Sequence, residues 1–209
     1  MTYRIRISVG GIANADETGL FFKCLPKKTL AIRDDKCYGG KLIKDRVTCL
    51  LATNMSGTEK LKPLIIARSA KPRCFKGVKW LPVDYENNVK ARMTSEIFEK
   101  WLVKLDKQFS HENRKIIMFL DNCPAHPAIQ QKLKAIKLQC LPPNGTSKLQ
   151  PLDQGIIKSF KDHYKGRILK KTLYALENNG SPSISLLDCV REVAMTWHVD
   201  VKQKTGWFW

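Results

Sequence analysis

Asp16, Asp121 and Asp153 stand out among the acidic residues of this chain because of the pattern around each. Asp16 is expected to end a first strand, and Asp121 to close the apolar run 115–121 (KIIMFLD). Asp153 is expected to enter a long helix on its core-facing stripe, with Ile157, Phe160, Tyr164 and Ile168. One aspartate after a strand is ordinary turn or cap chemistry. Three that converge at a dry sheet end repel one another, and stay ionised only beside a basic group or a divalent cation. Mg²⁺ suits an all-oxygen set and keeps waters that reach phosphate. Two such ions about 3.5–4 Å apart activate an attacking oxygen and stabilise the leaving one. Cleavage of a phosphodiester is the chemistry such a cluster would perform.

The charge balance supplies a surface for that substrate. In 209 residues there are 37 Lys and Arg against 19 Asp and Glu, a net charge of +18. Such an excess draws a protein onto polyanions, nucleic acid first among them. An acidic lipid surface is the competing reading, but no basic amphipathic helix with a strongly apolar face stands alone. No apolar run approaches the ~18 residues of a membrane helix, and the opening MTYRIRIS lacks the apolar core of a secretory signal. Lys148, Lys158, Lys161 and Lys165, before and along the polar side of the long helix, are the candidate DNA contacts. The stretch 60–79 adds seven Lys or Arg with no acid, a stronger bias than solubility requires. Trp80 and Trp207 are candidates for base stacking, although core or anchor use is the commoner role of tryptophan. The seven cysteines are scattered, with no CxxC, and most sit in apolar company. They read as small buried hydrophobes in a reducing compartment, cytosol or nucleus, and DNA as partner selects the nucleus.

Several elements must position these residues. Segments 47–54 (VTCLLATN) and 61–67 (LKPLIIA) read as strands joined by a hairpin-like link at 55–58. Thr94 or Ser95 caps a helix over 95–109, whose stripe Phe98, Trp101, Leu102, Leu105 and Phe109 is a core face. The run 115–121 reads as a central strand buried on both faces. The turn NCPAHP and a short helix to about Lys134 follow, then a strand at 136–141. The long helix starts near Pro151 and ends at Gly180-Ser181-Pro182, with a further helix over 184–202. This order predicts a mixed α/β sheet with helices on its faces. Gly10 and Gly11 fall where the first strand should be firm, and Glu17 should point away from Asp16. His126 reads as a local helix-start hydrogen bond, and Asn122 as either a support for metal waters or a cap.

Five segments carry a resemblance: NADETGLFFKCLPKKTLA (14–31), KDRVTCLLATNMSGTEKLKPLIIARS (44–69), MTSEIFEKWL (93–102), LDNCPAH (120–126) and LPPNGTSKLQPLDQGIIKSFKDHY (141–164). They resemble the DDE endonuclease domain of the Tigger and pogo transposases and of their domesticated relatives, the Tigger-derived, jerky-like and centromere protein B proteins. The resemblance implies a ribonuclease-H-like mixed sheet flanked by helices. It also implies an acidic triad holding two Mg²⁺ ions, with Mn²⁺ as substitute. By motif the triad falls on Asp16 in NADET, Asp121 in LDN and Asp153 in QPLDQG. The expected organisation is a divergent segment 1–13, the endonuclease domain 14–178, and a truncated helical segment 179–209. Complete members resemble a pair of helix-turn-helix modules followed by this domain, and those modules have no counterpart in this sequence. The expected function is a transposase-derived nuclease domain acting on DNA in the nucleus, with no membrane contact and a second copy of the chain as the other candidate partner. The alternative is a domesticated, catalytically inactive DNA-binding or chromatin protein.

Overall fold

A computed structural model of the protein describes residues 11–23, 45–121, 130–141, 150–180 and 183–201. Along the chain these form β1 (Ile12–Phe21), β2 (Arg46–Asn54), β3 (Leu64–Ala67), β4 (Asp84–Asn87), α1 (Ser95–His111), β5 (Ile116–Leu120), β6 (Ile136–Cys140), α2 (Ile157–Glu177) and α3 (Leu186–Met195). The strands make one sheet in the order β4-β3-β2-β1-β5-β6. β2 runs antiparallel to both β1 and β3, while β5 lies parallel to β1 on its other side, and β4 and β6 extend the edges in parallel. This is the ribonuclease-H-like mixed sheet flanked by helices.

Period-two alternation sends successive side chains to opposite faces, so each central strand feeds two cores. Ala13, Ala15, Leu50, Ala52, Ile66 and Met118 face α1, where the stripe Phe98, Trp101, Leu102, Leu105 and Phe109 meets them. Leu20, Val47, Cys49, Leu51 and Ile65 face α2 and α3, and pack against Phe160, Tyr164, Ile168, Val190 and Trp197. The Thr94 hydroxyl accepts from Ile97 N at 3.3 Å and starts α1. Such a cap contributes about 1 kcal/mol. Asp106, buried on α1, accepts from the backbone N–H groups of Lys134, Ala135 and Ile136 at 2.7–3.0 Å. Those three bonds fix the entry to β6 and hold the carboxyl below its ordinary pKa, against the opposing effect of burial. Arg167 on α2 pairs with Glu192 at 2.6 Å and Asp200 at 3.1 Å, which joins the two helices of the second layer.

Two expectations are corrected, and one strand appears that the sequence pattern did not mark. β1 begins at Ile12, so Gly11 precedes the strand instead of weakening it, and Gly10 lies outside the described residues. β3 is shorter than the segment 61–67 because Pro63, which has no N–H for a ladder, stands just before it. β4 has no apolar pattern to reveal it. It is a polar edge strand whose Asp84 pairs with Lys104 at 2.6 Å and Lys62 at 3.5 Å. Of the short helix before Lys134, only a single turn over Gln130–Lys132 falls in the described residues. Cys49 and Cys189 are buried as expected, whereas Cys140 on edge strand β6 is exposed. No helix among the described residues is long and apolar enough to cross a membrane.

Candidate active site

β1 carries its polar residues on the face turned toward α2: Asn14, Asp16 and Thr18 are all buried there. Asp16 therefore lies in the middle of a ten-residue strand, opposite Leu51 of β2, and not at a strand end as the sequence led one to expect. The strand outlasts its neighbour: parallel pairing with β5 runs Ile12↔Ile117, Ala13↔Met118, Asn14↔Phe119, and β5 stops at Leu120. Two more steps of that register set Asp16 level with Asp121. Ile116, Met118 and Leu120 face the α1 core, so alternation turns position 121 to the Asp16 face.

Asp153 reaches the same place by a different device. It sits in a turn over Leu152–Ile156 that precedes α2. Within that turn Gln154 (φ −73°, ψ 35°) and Gly155 (φ 110°, ψ −11°) break the helical path. The break shifts the phase, and this is the physical reason the expectation of one stripe fails. Ile157, Phe160, Tyr164 and Ile168 are buried along α2, while Asp153 is exposed. A φ of 110° is open to glycine and strained for any other residue.

The turn is tied to β1 by two buried amides. Asn14 Nδ2 donates to Gln150 Oε1 at 2.8 Å and to the Phe119 carbonyl at 3.0 Å. Gln150, with no exposed surface, donates from Nε2 to the Ala15 carbonyl at 3.1 Å, and Leu152 N donates to Asn14 Oδ1 at 3.3 Å. Strand β1, the end of β5 and the 150–156 turn are thereby fastened to one another immediately behind the three aspartates. Sequence reasoning did not single out Asn14 or Gln150. The available signal was spacing: Asn14 is two residues before Asp16, on the same strand face, opposite Ala13 and Ala15 on the apolar one.

Electrostatics converge on Asp16. It is 7% exposed; its Oδ1 accepts from Glu17 N at 2.7 Å, and its Oδ2 is buried with no hydrogen-bond partner. Burial raises the Asp16 pKa most, the charge of Asp153 adds to it, and Asp121 and a side-chain approach of Asp153 that favours a shared proton add further. The Glu17 N–H opposes them, and the group is pushed up to about 7. A buried carboxylate oxygen without a donor, facing two other carboxylates, retains a proton or takes a hard cation. The all-oxygen donor set thus fits Mg²⁺ or Mn²⁺. Among the described residues, however, no three His, Cys, Asp or Glu side chains are drawn together at ligating distance, so Asp153 and Asp121 act on Asp16 through their charge without closing a shell with it.

The candidate DNA contacts are less uniform than a helix wheel implies. Lys158 and Lys165 are exposed on α2, Lys161 is half-buried, and Lys165 lies 3.9 Å from Asp162. Lys148, Asn122, His126 and Trp207 lie outside the described residues.

A family model described as the DDE superfamily endonuclease matches residues 44–205, a span that includes Asp121 and Asp153 but not Asp16. Tigger transposable element-derived protein 4 of Mus musculus is 45% identical over 186 residues, 89% of this chain and 36% of that protein. The Jerky protein homolog of Homo sapiens is 34% identical over 168 residues, 76% of this chain and 30% of that protein. Major centromere autoantigen B of Homo sapiens is 32% identical over 192 residues, 89% of this chain and 30% of that protein. The chain thus spans about a third of the length of these relatives. Among solved structures, the Mos1 transposase paired-end complex with left transposon end is similar at a TM-score of 0.48 and 12% identity, over 92% of this chain and 55% of that one. The Mos1 mariner paired end complex with Mn gives 0.47 and 14%, over 93% and 55%. From the family match and these relatives, the chain belongs to the DDE superfamily endonuclease family, alongside the Tigger-derived, Jerky and centromere autoantigen B proteins.

Proposed function

We propose that this transposase-derived domain binds DNA in the nucleus and hydrolyses phosphodiester bonds, with Asp16, Asp121 and Asp153 as the holders of two divalent metal ions. The observation that carries this reading is the buried Asp16 oxygen that has no hydrogen-bond donor and faces two further carboxylates. The ions, when bound, would supply Lewis-acid activation of the attacking oxygen and charge stabilisation of the leaving one. Asp16 would present Oδ2 to the metal, while the Glu17 N–H holds its other oxygen in place. The Asn14–Gln150 pair would keep the Asp153 turn against β1. Lys148, Lys158, Lys161 and Lys165 would bind the phosphate backbone, so affinity should fall steeply with salt and discriminate little between sequences.

A second reading, DNA binding without catalysis, draws support from the open arrangement of the three carboxylates. Supercoiled plasmid separates the two. Nicking that needs Mg²⁺ or Mn²⁺ and is lost in Asp121→Asn supports the nuclease. Plasmid retention without nicking in either metal supports the non-catalytic reading.

A further inference from the structure

The acid-free stretch noted in the sequence finds no use in the site just described. Most of it forms the connector between β3 and β4, and its exposed members are Arg68, Lys71, Arg73, Lys76 and Lys79. None of the five makes an ion pair with a carboxylate among the described residues. Several cations outside the connector do pair, Lys104 with Asp84, Lys132 with Glu99, Arg114 with Glu59 and Arg167 with Glu192; the connector differs in gathering five exposed cations over twelve residues with no acid among them. Directly after Lys79 stands Trp80, 74% exposed, whereas Trp101 and Trp197 are buried. A tryptophan left in water gains nothing for the fold.

The connector is nonetheless a built element. Phe75 packs edge-on against Tyr85 with ring centroids 5.0 Å apart, and both lie against the α2–α3 core. Backbone bonds Phe75 N to Pro72 O (2.9 Å), Lys76 N to Arg73 O (3.2 Å) and Val78 N to Phe75 O (3.1 Å) hold its turns. The Tyr85 hydroxyl donates to the Ser69 carbonyl. Leu81 and Val83 anchor the chain beyond Trp80 in the same core, which leaves the indole outside between two fixed points.

We propose that this connector is a second nucleic-acid surface, specific for unpaired strands: the five cations hold phosphates and Trp80 stacks on an exposed base. Cationic groups along a backbone track with an aromatic platform are how single strands are held without sequence preference. The bases of an intact duplex are already stacked, so a protruding indole has no partner there. Register places the connector usefully. Ala67, where it starts, is two strands across from β1 and level with Leu20, four residues beyond Asp16. At ~4.8 Å per strand and ~3.3 Å per residue, that is roughly 16 Å from Asp16. A separation of that size is about five nucleotide steps at ~3.4 Å each. The choice of nucleic acid over other polyanions rests on the DNA-binding part of the function proposed above; the surface itself does not depend on cleavage.

The test uses the full chain in EDTA, so that binding is read without cleavage, with fluorescein-labelled oligothymidylate and a duplex of equal length as probes. Trp80→Ala should weaken oligothymidylate binding about tenfold or more. It should leave duplex binding and the salt slope unchanged. Lys76→Gln with Lys79→Gln should lower the log–log salt slope for oligothymidylate by about 1.4, two phosphate contacts at ~0.7 each. Ultraviolet crosslinking of bromodeoxyuridine-substituted strand should attach at Trp80. If the parent binds DNA but both variants match it, the connector is not the surface and the inference falls alone. If poly-glutamate displaces the strand as well as a competing strand does and Trp80→Ala has no effect, the surface is a general polyanion site. If the parent binds neither probe, the inference and the DNA-binding reading fall together.

Discussion

Asp16→Asn should make the metal-free protein more stable, although it removes the residue assigned the central role. In the native state the Asp16 carboxyl titrates at about 7, against an ordinary value of 3.8. The native chain therefore holds a proton there that the unfolded chain has released, and stability falls as pH rises from about 4 and levels off above about 7. At about 1.4 kcal/mol per pH unit the full loss is about 4 kcal/mol by pH 8. Asparagine has nearly the same shape and carries no charge. Its Oδ1 can still accept from Glu17 N, and its amide then faces the Asp153 carboxylate as a donor. Allowing for burial of the new amide, the net gain at pH 8 should be about 2–4 kcal/mol, or roughly 5–12 °C for a domain of this size. The gain should be smaller by about 2.7 kcal/mol at pH 5, two units below the native pKa, and the charge effect is gone only below about pH 4, where the unfolded carboxyl is protonated as well. Thermal unfolding of both proteins in EDTA at pH 5 and pH 8 measures this; titrating groups remote from Asp16 act alike in both and drop out of the comparison. Mg²⁺ should then raise the parent's melting temperature at pH 8 and leave the variant's unchanged. A variant no more stable than the parent at pH 8, or one with the same gain at pH 5, would refute the argument that Asp16 is a crowded, desolvated carboxylate.

Asp106→Ala should destabilise the fold by about 3 kcal/mol, since it leaves the buried N–H groups of Ala135 and Ile136, and the half-buried one of Lys134, without an acceptor; denaturant unfolding reads the change. Gly155→Ala should cost about 1–3 kcal/mol through backbone strain alone, because no atom lies within 4 Å of where the methyl would sit, and circular dichroism melts should show it. Gln150→Ala should release the Asp153 turn and reduce Mg²⁺-dependent stabilisation more than it reduces stability in EDTA. Equal losses with and without metal would assign Gln150 to the fold only.

Residues that bury an apolar stripe announced themselves. Phe98, Trp101, Leu102, Leu105 and Phe109 sit where their spacing put them, and the Thr94 cap sits where its chemistry put it. The run Ile116–Leu120 is a central strand for the same reason. Motif identified the three aspartates, but the elements that carry them were misread. Asp16 reads as a strand end because polar residues usually mark one; β1 instead runs through three buried polar positions, Asn14, Asp16 and Thr18, stabilised by amides from a segment far along the chain. Asp153 was put on a helical stripe because a 3.6-residue period does not register the φ of one glycine. β4 was missed because a polar edge strand is held by its neighbour's backbone and by lysines from elsewhere. The misses at Asp16 and β4 involve partners remote in sequence, which local pattern does not contain; the miss at Asp153 turns on one backbone angle two residues away.

The Asn14–Gln150 bond spans 136 positions of the chain. Ribosomes add about 5–20 residues per second. Asn14 therefore waits roughly 7 to 27 seconds after its own synthesis before Gln150 exists to meet it. Throughout that interval β1, β2 and β3 can pair, and α1 can cover one face of them, but the face bearing Asp16 has neither the 150–156 turn nor α2 upon it. The carboxylate is then hydrated, without the Asp153 charge beside it, and titrates as an ordinary aspartate. Its unusual acidity, and any affinity for a cation that comes with it, appears late in biogenesis in a single closure event. A nascent domain of this design cannot assemble its carboxylate cluster until the 150–156 turn and the helix after it have been made.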